Sequence, residues 1–310
     1  MDDLRTPPAL KPGATIGVAA ISGPVDGDRL QSGVAQLEAR GYRVVLAPNV
    51  ALRRGFLAGT DEERAEGYRS LLRSPSVDAV FFARGGYGAS RVLSRLDPSE
   101  IAARPRPHLG GSDLTALFSF LGRRCGLATY YGPMVAVEMA NGVDLDWETV
   151  LAGHPPAPHR IAPGDVLAPG TGEGPVVGGC LSILASLCGT PDAVDGRGAV
   201  LFWEDVGEDT YRLDRMLTQL ERSGTFDGLQ AMVIGSISPG PRGGESPEIV
   251  GAWLRAYFAG APFPVVAGFP AGHLPRPRTI PLGRGARVDA SGGRIDFGAA
   301  PGSAETPCRT

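Results

Sequence analysis

Lysine is almost absent: Lys11 is the only one among 30 lysine and arginine residues. No lysine is therefore placed for Schiff-base chemistry, and there is no G-K-[ST] phosphate loop. The four cysteines, Cys125, Cys180, Cys188 and Cys308, form no C-x-x-C pair, and no H-E-x-x-H occurs. That excludes a zinc site of recognisable spacing, and no metal or other cofactor is expected. Cysteines this scattered read as reduced, mostly buried thiols. No apolar run approaches the roughly 18 residues of a membrane span. The acidic, proline-rich start MDDLRTPPALKPG lacks the apolar core of a signal peptide, so the cytoplasm is the expected location. A formal net charge of -3 offers no basic surface to a nucleic acid or an anionic membrane.

What is present is enough for two domains: 310 residues, 43% of them hydrophobic, with 45 Gly and 28 Pro placed between periodic segments. Thr15–Ala20, Arg43–Leu46, Asp78–Ala83, Pro107–Gly110 and Leu127–Tyr131 read as strands. Between them Asp28–Arg40, Asp61–Leu72, Ser90–Leu96 and Asp113–Arg123 read as helices. This alternation predicts a doubly wound parallel α/β sheet over residues 1–140. Residues 141–174 are rich in Pro and Gly and read as a connection, with a short helix near Asp146–Leu151. Residues 175–310 predict a smaller C-terminal α/β domain. Its helices are Cys180–Leu187, Thr210–Arg222 and Pro247–Phe258, and its strands Ala199–Trp203, Met232–Ile234 and Val265–Val266. A final hairpin turns on Ser291-Gly292-Gly293.

In doubly wound sheets, ligands sit beyond the carboxyl ends of the strands. Two glycine-rich segments fall there: Arg84–Gly88 (RGGYG) and Gly110–Asp113 (GGSD). The two glycines permit a tight turn and a close approach of substrate. Ser112 then stands at the positive end of a new helix, as an N-cap or as a nucleophile. A nucleophilic serine needs a base. Of the four histidines, His108 lies inside a strand, and His154 and His159 lie in the connection. His273 lies in the loop FPAGHLPRPRTIPLG, as a surface histidine or as the base. A third group must fix the imidazole tautomer. Glu204 follows the apolar run Val200–Trp203, where a half-buried carboxylate needs a partner. Glu208 and Asp209 instead suit the start of the next helix. The order Ser, Glu, His matches the α/β-hydrolases, but Leu114 breaks their G-x-S-x-G, which indicates another hydrolase scaffold. RGGYG is either a plain turn or part of an oxyanion hole, with an N–H of Gly85 or Gly86 joining that of Asp113. Arg84 caps this turn or meets a substrate carboxylate.

Together RGGYGASRVLSRLD, GGSDLTAL, LFWEDVGEDTYRLDRMLTQL and GHLPRPRTIPLG resemble the LD-carboxypeptidase family of serine peptidases, across nearly the whole chain. The family includes murein tetrapeptide carboxypeptidases and microcin C self-immunity hydrolases. The resemblance implies a triad of Ser112, Glu204 and His273, the serine from the first domain and the other two from the second. It also implies a homodimer that needs no metal. The implied reaction releases a terminal D-alanine from the L,D bond of a murein tetrapeptide; on the reading of the residues themselves, Gly86 and Asp113 form the oxyanion hole and Arg84, Gly85 and Gly111 bind this small peptide substrate. The alternative within the family is a microcin C-type hydrolase cleaving an acyl-sulfamoyl or peptidyl-nucleotide amide, with Trp203 or Trp147 stacking a base. Outside it stands a two-domain small-ligand binding protein without catalysis. The chain departs from the family at Gly111, usually aromatic, and at Leu274, which replaces the second glycine of G-H-G.

Overall fold

The computed structural model describes residues 4–238 and 245–298, so Cys308 lies outside the described residues. The strands are β1 (Thr15–Ala19), β2 (Arg43–Leu46), β3 (Ala79–Phe82), β4 (His108–Gly110), β5 (Thr129–Tyr131), β6 (His159–Arg160), β7 (Val166–Ala168), β8 (Thr171–Cys180), β9 (Val200–Val206), β10 (Ala231–Ser238), β11 (Val265–Val266), β12 (Ile280–Leu282), β13 (Gly285–Asp289) and β14 (Arg294–Phe297). The helices are α1 (Gly27–Ala39), α2 (Asp61–Arg73), α3 (Ala89–Val92), α4 (Pro98–Ala103), α5 (Thr115–Cys125), α6 (Trp147–Leu151), α7 (Leu181–Leu187), α8 (Thr210–Arg222) and α9 (Pro247–Tyr257). Among the described residues, no helix is long and apolar enough to cross a membrane.

Continuous apolar strands favour the middle of a parallel sheet, because both faces are covered there. TIGVA of β1 and AVFF of β3 are buried at every position. They sit centrally in a first sheet of order β2-β1-β3-β4-β5-β12, parallel from β2 to β5. Local signals agree with the helices. Thr60 and Glu63 form a capping box that opens α2, and Gly126 in the left-handed region (φ 61) closes α5.

The second sheet has the order β6-β14-β13-β8-β9-β10-β11-β7. It is parallel from β8 to β11 and antiparallel on both flanks. It departs from the sequence-based outline in two respects. Residues 141–174 are more than a connection, because they supply β6, β7 and the start of β8. The strand β12 leaves the second half of the chain and pairs antiparallel with β5 of the first sheet. With eight strands against six, the second sheet is the larger one.

The ten residues of β8, TGEGPVVGGC, hide their strand character behind Gly and Pro. The fold needs those glycines. A Cβ on Gly172 would lie 1.9 Å from Gln230 O, and one on Gly178 would lie 1.8 Å from Phe202 O. The two lobes share one core, in which Phe118 of α5, Tyr131 of β5, Val176 of β8, Phe202 of β9 and Ile280 of β12 are all buried. That shared apolar contact fixes the carboxyl ends of β4 and β5 against the carboxyl ends of β8 and β9.

Candidate active site

Ser112 sits on the turn from β4 to α5. At φ 58 it is the only non-glycine residue with positive φ among the described residues. The left-handed region costs a side-chain-bearing residue about 1–3 kcal/mol, so the surroundings must hold it there. They do so through both of its peptide groups. The Ser112 N–H donates to Tyr131 Oη at 2.8 Å, and Ser112 O accepts from Thr115 Oγ1 at 2.7 Å. Next to it, Asp113 Oδ2 accepts the Ala89 N–H at 2.8 Å, which ties this turn to the start of α3, just after RGGYG.

The RGGYG loop lies over the serine. A methyl group on Gly85 would stand 2.8 Å from Ser112 Cβ, 2.9 Å from its Oγ and 3.4 Å from the Asp113 N. Only glycine lets the backbone come this near. Gly86 turns the loop away at φ 112 and faces Gly23, with Gly23 Cα 3.3 Å from its Cβ position. Arg84 is exposed, and its Nη1 donates to Pro24 O at 3.2 Å. It is not among the residues around the serine pocket. Gly111 is extended (φ -155), and its open side faces Gly132 O and the Tyr131 ring, 3.1 and 3.5 Å from its Cβ position.

Glu204 lies within β9, fully buried, opposite Cys180 of β8. A buried carboxylate must have its lone pairs occupied. Its Oε2 accepts from His273 Nδ1 at 2.7 Å and from the His273 N–H at 3.2 Å, and its Oε1 accepts from Tyr131 Oη at 2.6 Å. With Nδ1 donating, Nε2 is left as the basic nitrogen of the neutral ring. The His273 loop is held by a bulge in β10. The pairing with β9 shifts between Ile234 and Ile237, the Ser236 N–H donates to Ala271 O at 2.9 Å, and the Phe269 N–H donates to Ile234 O at 3.1 Å. Gly272 has φ 106 and presses on the carboxylate, its Cβ position being 2.4 Å from Glu204 Oε2. The N–H of Leu274 donates to Gly272 O at 2.8 Å, a three-residue turn that presents His273 at its apex without a second glycine.

Gly111, Ser112, Tyr131, Gly132, Met134, Glu138, Gly272 and His273 line one small pocket. Ser112 and His273 thus share it, although no hydrogen bond joins their side chains among the described residues. Such contacts commonly tighten only when substrate is in place. Burial of the His273 ring pulls its pKa down, but the hydrogen bond and charge of Glu204, with the charges of Glu138 and Asp205, outweigh this and leave it above the ordinary value. Glu138 is held above the usual carboxylate range by burial, against the Met134 N–H that it accepts at 2.8 Å.

The other histidines stand apart. His108 is buried in β4, with Nε2 2.7 Å from Tyr68 Oη and Nδ1 2.8 Å from Arg106 O, and burial brings its pKa down to about 4. His159 packs edge-on against Phe269, and His154 is exposed. Trp203 is buried with Nε1 directed at Met232 Sδ, and Trp147 is buried against Tyr42 and Phe81, so neither ring is available to stack a base. Cys125 and Cys180 are buried and Cys188 partly so, all as free thiols.

Sequence reasoning missed Tyr131, Thr115 and Glu138. A signal existed for Tyr131, since it ends a parallel strand, where ligand-facing residues collect. Nothing local marked Thr115, on the first turn of a buried helix.

Family models of the LD-carboxypeptidase N-terminal domain and C-terminal domain match residues 16–132 and 173–288. A Streptomyces coelicolor protein named among the carboxypeptidases is 40% identical over 306 residues, covering 95% of this chain and 96% of the relative. The murein tetrapeptide carboxypeptidase of Pseudomonas aeruginosa is 32% identical over 281 residues, covering 85% and 89%. The solved structure of MccF in complex with glutamyl sulfamoyl guanosine superposes with a TM-score of 0.84 over 96% of this chain and 99% of that one. At 23% identity, that likeness is one of fold.

Proposed function

Since the chain belongs to the LD-carboxypeptidase family, we propose that it hydrolyses the bond between an L-centre and a terminal D-alanine in murein tetrapeptides, with Ser112 as nucleophile, His273 as base and Glu204 as its orienting carboxylate. The observation that carries this reading is the 2.7 Å Glu204–His273 contact opening onto the same pocket as Ser112. His273 Nε2 takes the Ser112 proton while Oγ attacks the carbonyl carbon. The Ser112 N–H is engaged by Tyr131, so the oxyanion falls to backbone donors around it, the N–H groups of Gly86 and Asp113. Each such donor is typically worth about 3 kcal/mol of barrier. His273 then protonates the departing amine, Glu204 stabilises the imidazolium, and water releases the acyl group with the same residues in reversed roles. Arg84 does not line the serine pocket, but its exposed side chain reaches the neighbouring loop, with Nη2 3.9 Å from the Gly86 Cβ position, and we assign it the terminal carboxylate, which lies beyond the scissile bond. The lobe of the first sheet supplies the serine, and the lobe of the second supplies the other two. In this reading the enzyme works in the cytoplasm, as expected from its sequence, and is a homodimer, as the family resemblance implies. The reading of a binding protein without catalysis gives way to the family assignment.

The deciding experiment is mass spectrometry of the products from a defined L,D-tetrapeptide, its all-L counterpart and an aminoacyl-sulfamoyl nucleoside. Loss of one D-alanine from the first alone is the expected result. Faster cleavage of the sulfamoyl compound would move the assignment to the immunity hydrolases.

The base must be neutral to act, and its pKa lies above the ordinary histidine value of 6.5. The acid limb of kcat/KM is therefore expected above pH 6.5, with activity rising through it to a plateau. The stability sign is opposite. A group whose pKa is raised on folding stabilises the protein below its unfolded value, and that contribution fades as pH climbs through the folded one. Rate profiles and melting curves across this range test both signs, and an acid limb centred below 6.5 contradicts the role given to His273.

A further inference from the structure

We propose that Thr115 and Tyr131 are positioning residues forming a two-point clamp, which holds the peptide groups of Ser112 in register with the second lobe and ties the Glu204 carboxylate to the nucleophile's own amide. The inference rests on the reading of Ser112 as the nucleophile.

Each point of the clamp is a hydroxyl that donates once and accepts once. Tyr131 Oη accepts the Ser112 N–H at 2.8 Å and donates to Glu204 Oε1 at 2.6 Å. Thr115 Oγ1 donates to Ser112 O at 2.7 Å and accepts the Cys180 N–H at 2.9 Å. Tyr131 and Thr115 belong to the first lobe, and Glu204 and Cys180 stand opposite one another on β9 and β8 of the second. Both peptide groups flanking the strained Ser112 backbone are thus linked to the same pair of neighbouring strands. Both hydroxyls are buried, so each hydrogen bond acts without competition from water.

The seat of Thr115 is shaped for it. Gly179 has φ 144, and a Cβ there would lie 2.3 Å from Thr115 Oγ1 and 2.7 Å from its Cγ2. The threonine occupies the space that a side chain at 179 would need. Neither hydroxyl is required to cap a helix. Thr115 does follow the serine turn, but its acceptor role reaches across to the other lobe. Because Tyr131 binds the serine N–H and Glu204 together, a shift of the carboxylate moves the nucleophile, and the base and hydroxyl keep a common frame.

The test compares Thr115→Val, Thr115→Ser and Tyr131→Phe with the parent and with Ser112→Ala on an L,D-tetrapeptide, reading kcat, KM, the acid limb and the melting temperature. A nucleophile displaced by a fraction of an ångström loses rate and keeps its binding site. Thr115→Val is therefore expected to lower kcat by about 10- to 100-fold with KM nearly unchanged, and Thr115→Ser to restore most of it. Tyr131→Phe is expected to lower kcat similarly. It also removes a donor from Glu204, so the carboxylate holds the imidazolium more strongly and the acid limb moves to higher pH. The groups facing His273 in this titration are Glu204, Asp205 and Glu138. Wild-type kcat in both variants, a Thr115→Val loss that serine does not restore, or an acid limb that stays in place in Tyr131→Phe overturns the clamp. If Ser112→Ala is dead while the clamp variants run at full speed, only this inference fails. Turnover retained by Ser112→Ala instead removes the serine reading beneath it.

Discussion

Ser112→Ala is expected to lower turnover of an L,D-tetrapeptide by on the order of 10⁶-fold, the scale seen when a hydrolase loses its nucleophile. The fold should survive. The contacts that hold this turn run through the Ser112 N–H and C=O, which alanine keeps, and the hydroxyl makes no hydrogen bond of its own among the described residues. Alanine is no better suited than serine to φ 58, so the strain is common to both. A melting temperature close to the parent's, with turnover gone, is the combined expected result. Measurable cleavage of the D-alanine bond by the pure variant rules out the nucleophile assignment.

The second large effect is expected for Glu204→Gln, a loss of about 10³- to 10⁴-fold in kcat. The argument is one of donors and acceptors. Glu204 receives three hydrogen bonds and gives none: two from His273 at Oε2 and one from Tyr131 at Oε1. An amide has one acceptor oxygen and one donor nitrogen. If its NH₂ faces His273, Nδ1 must accept, the ring proton moves to Nε2, and the imidazole cannot take the serine proton. If it faces Tyr131, the phenol already accepting from Ser112 meets a second donor, and its own proton has lost its acceptor. Either way one buried polar group goes unpaired, at a cost to stability of about 1–3 kcal/mol. Single-turnover kinetics together with thermal melting would resolve the two contributions. Catalysis at the parental rate would show that the carboxylate has no part in orienting the base.

Much of this architecture was legible before folding was considered. Apolar runs such as TIGVA and AVFF, the periodic segment Asp61–Leu72, and glycines at strand ends are local signals, and each produced the expected element. The strand β8 was obscured, because its glycines record close approaches of Gln230 and Phe202 backbone that no neighbouring residue in sequence announces. The departure of β12 to the first sheet was hidden for the same reason: a three-residue strand owes its place to its partner Tyr131–Thr129 more than to its own propensity.

By itself the order of residues marked which side chains are candidates for chemistry here: one serine after two glycines, one carboxylate following an apolar run, one histidine in a glycine-bearing loop. Motif spacing and residue type carry that information, since backbone freedom, burial and basicity are local properties. Only the tertiary structure decided how those groups are held, through Tyr131, Thr115 and the β10 bulge. Hydrogen bonds between residues 65 to 73 positions apart depend on how two sheets dock, and docking is set by the shared apolar core, not by any short segment.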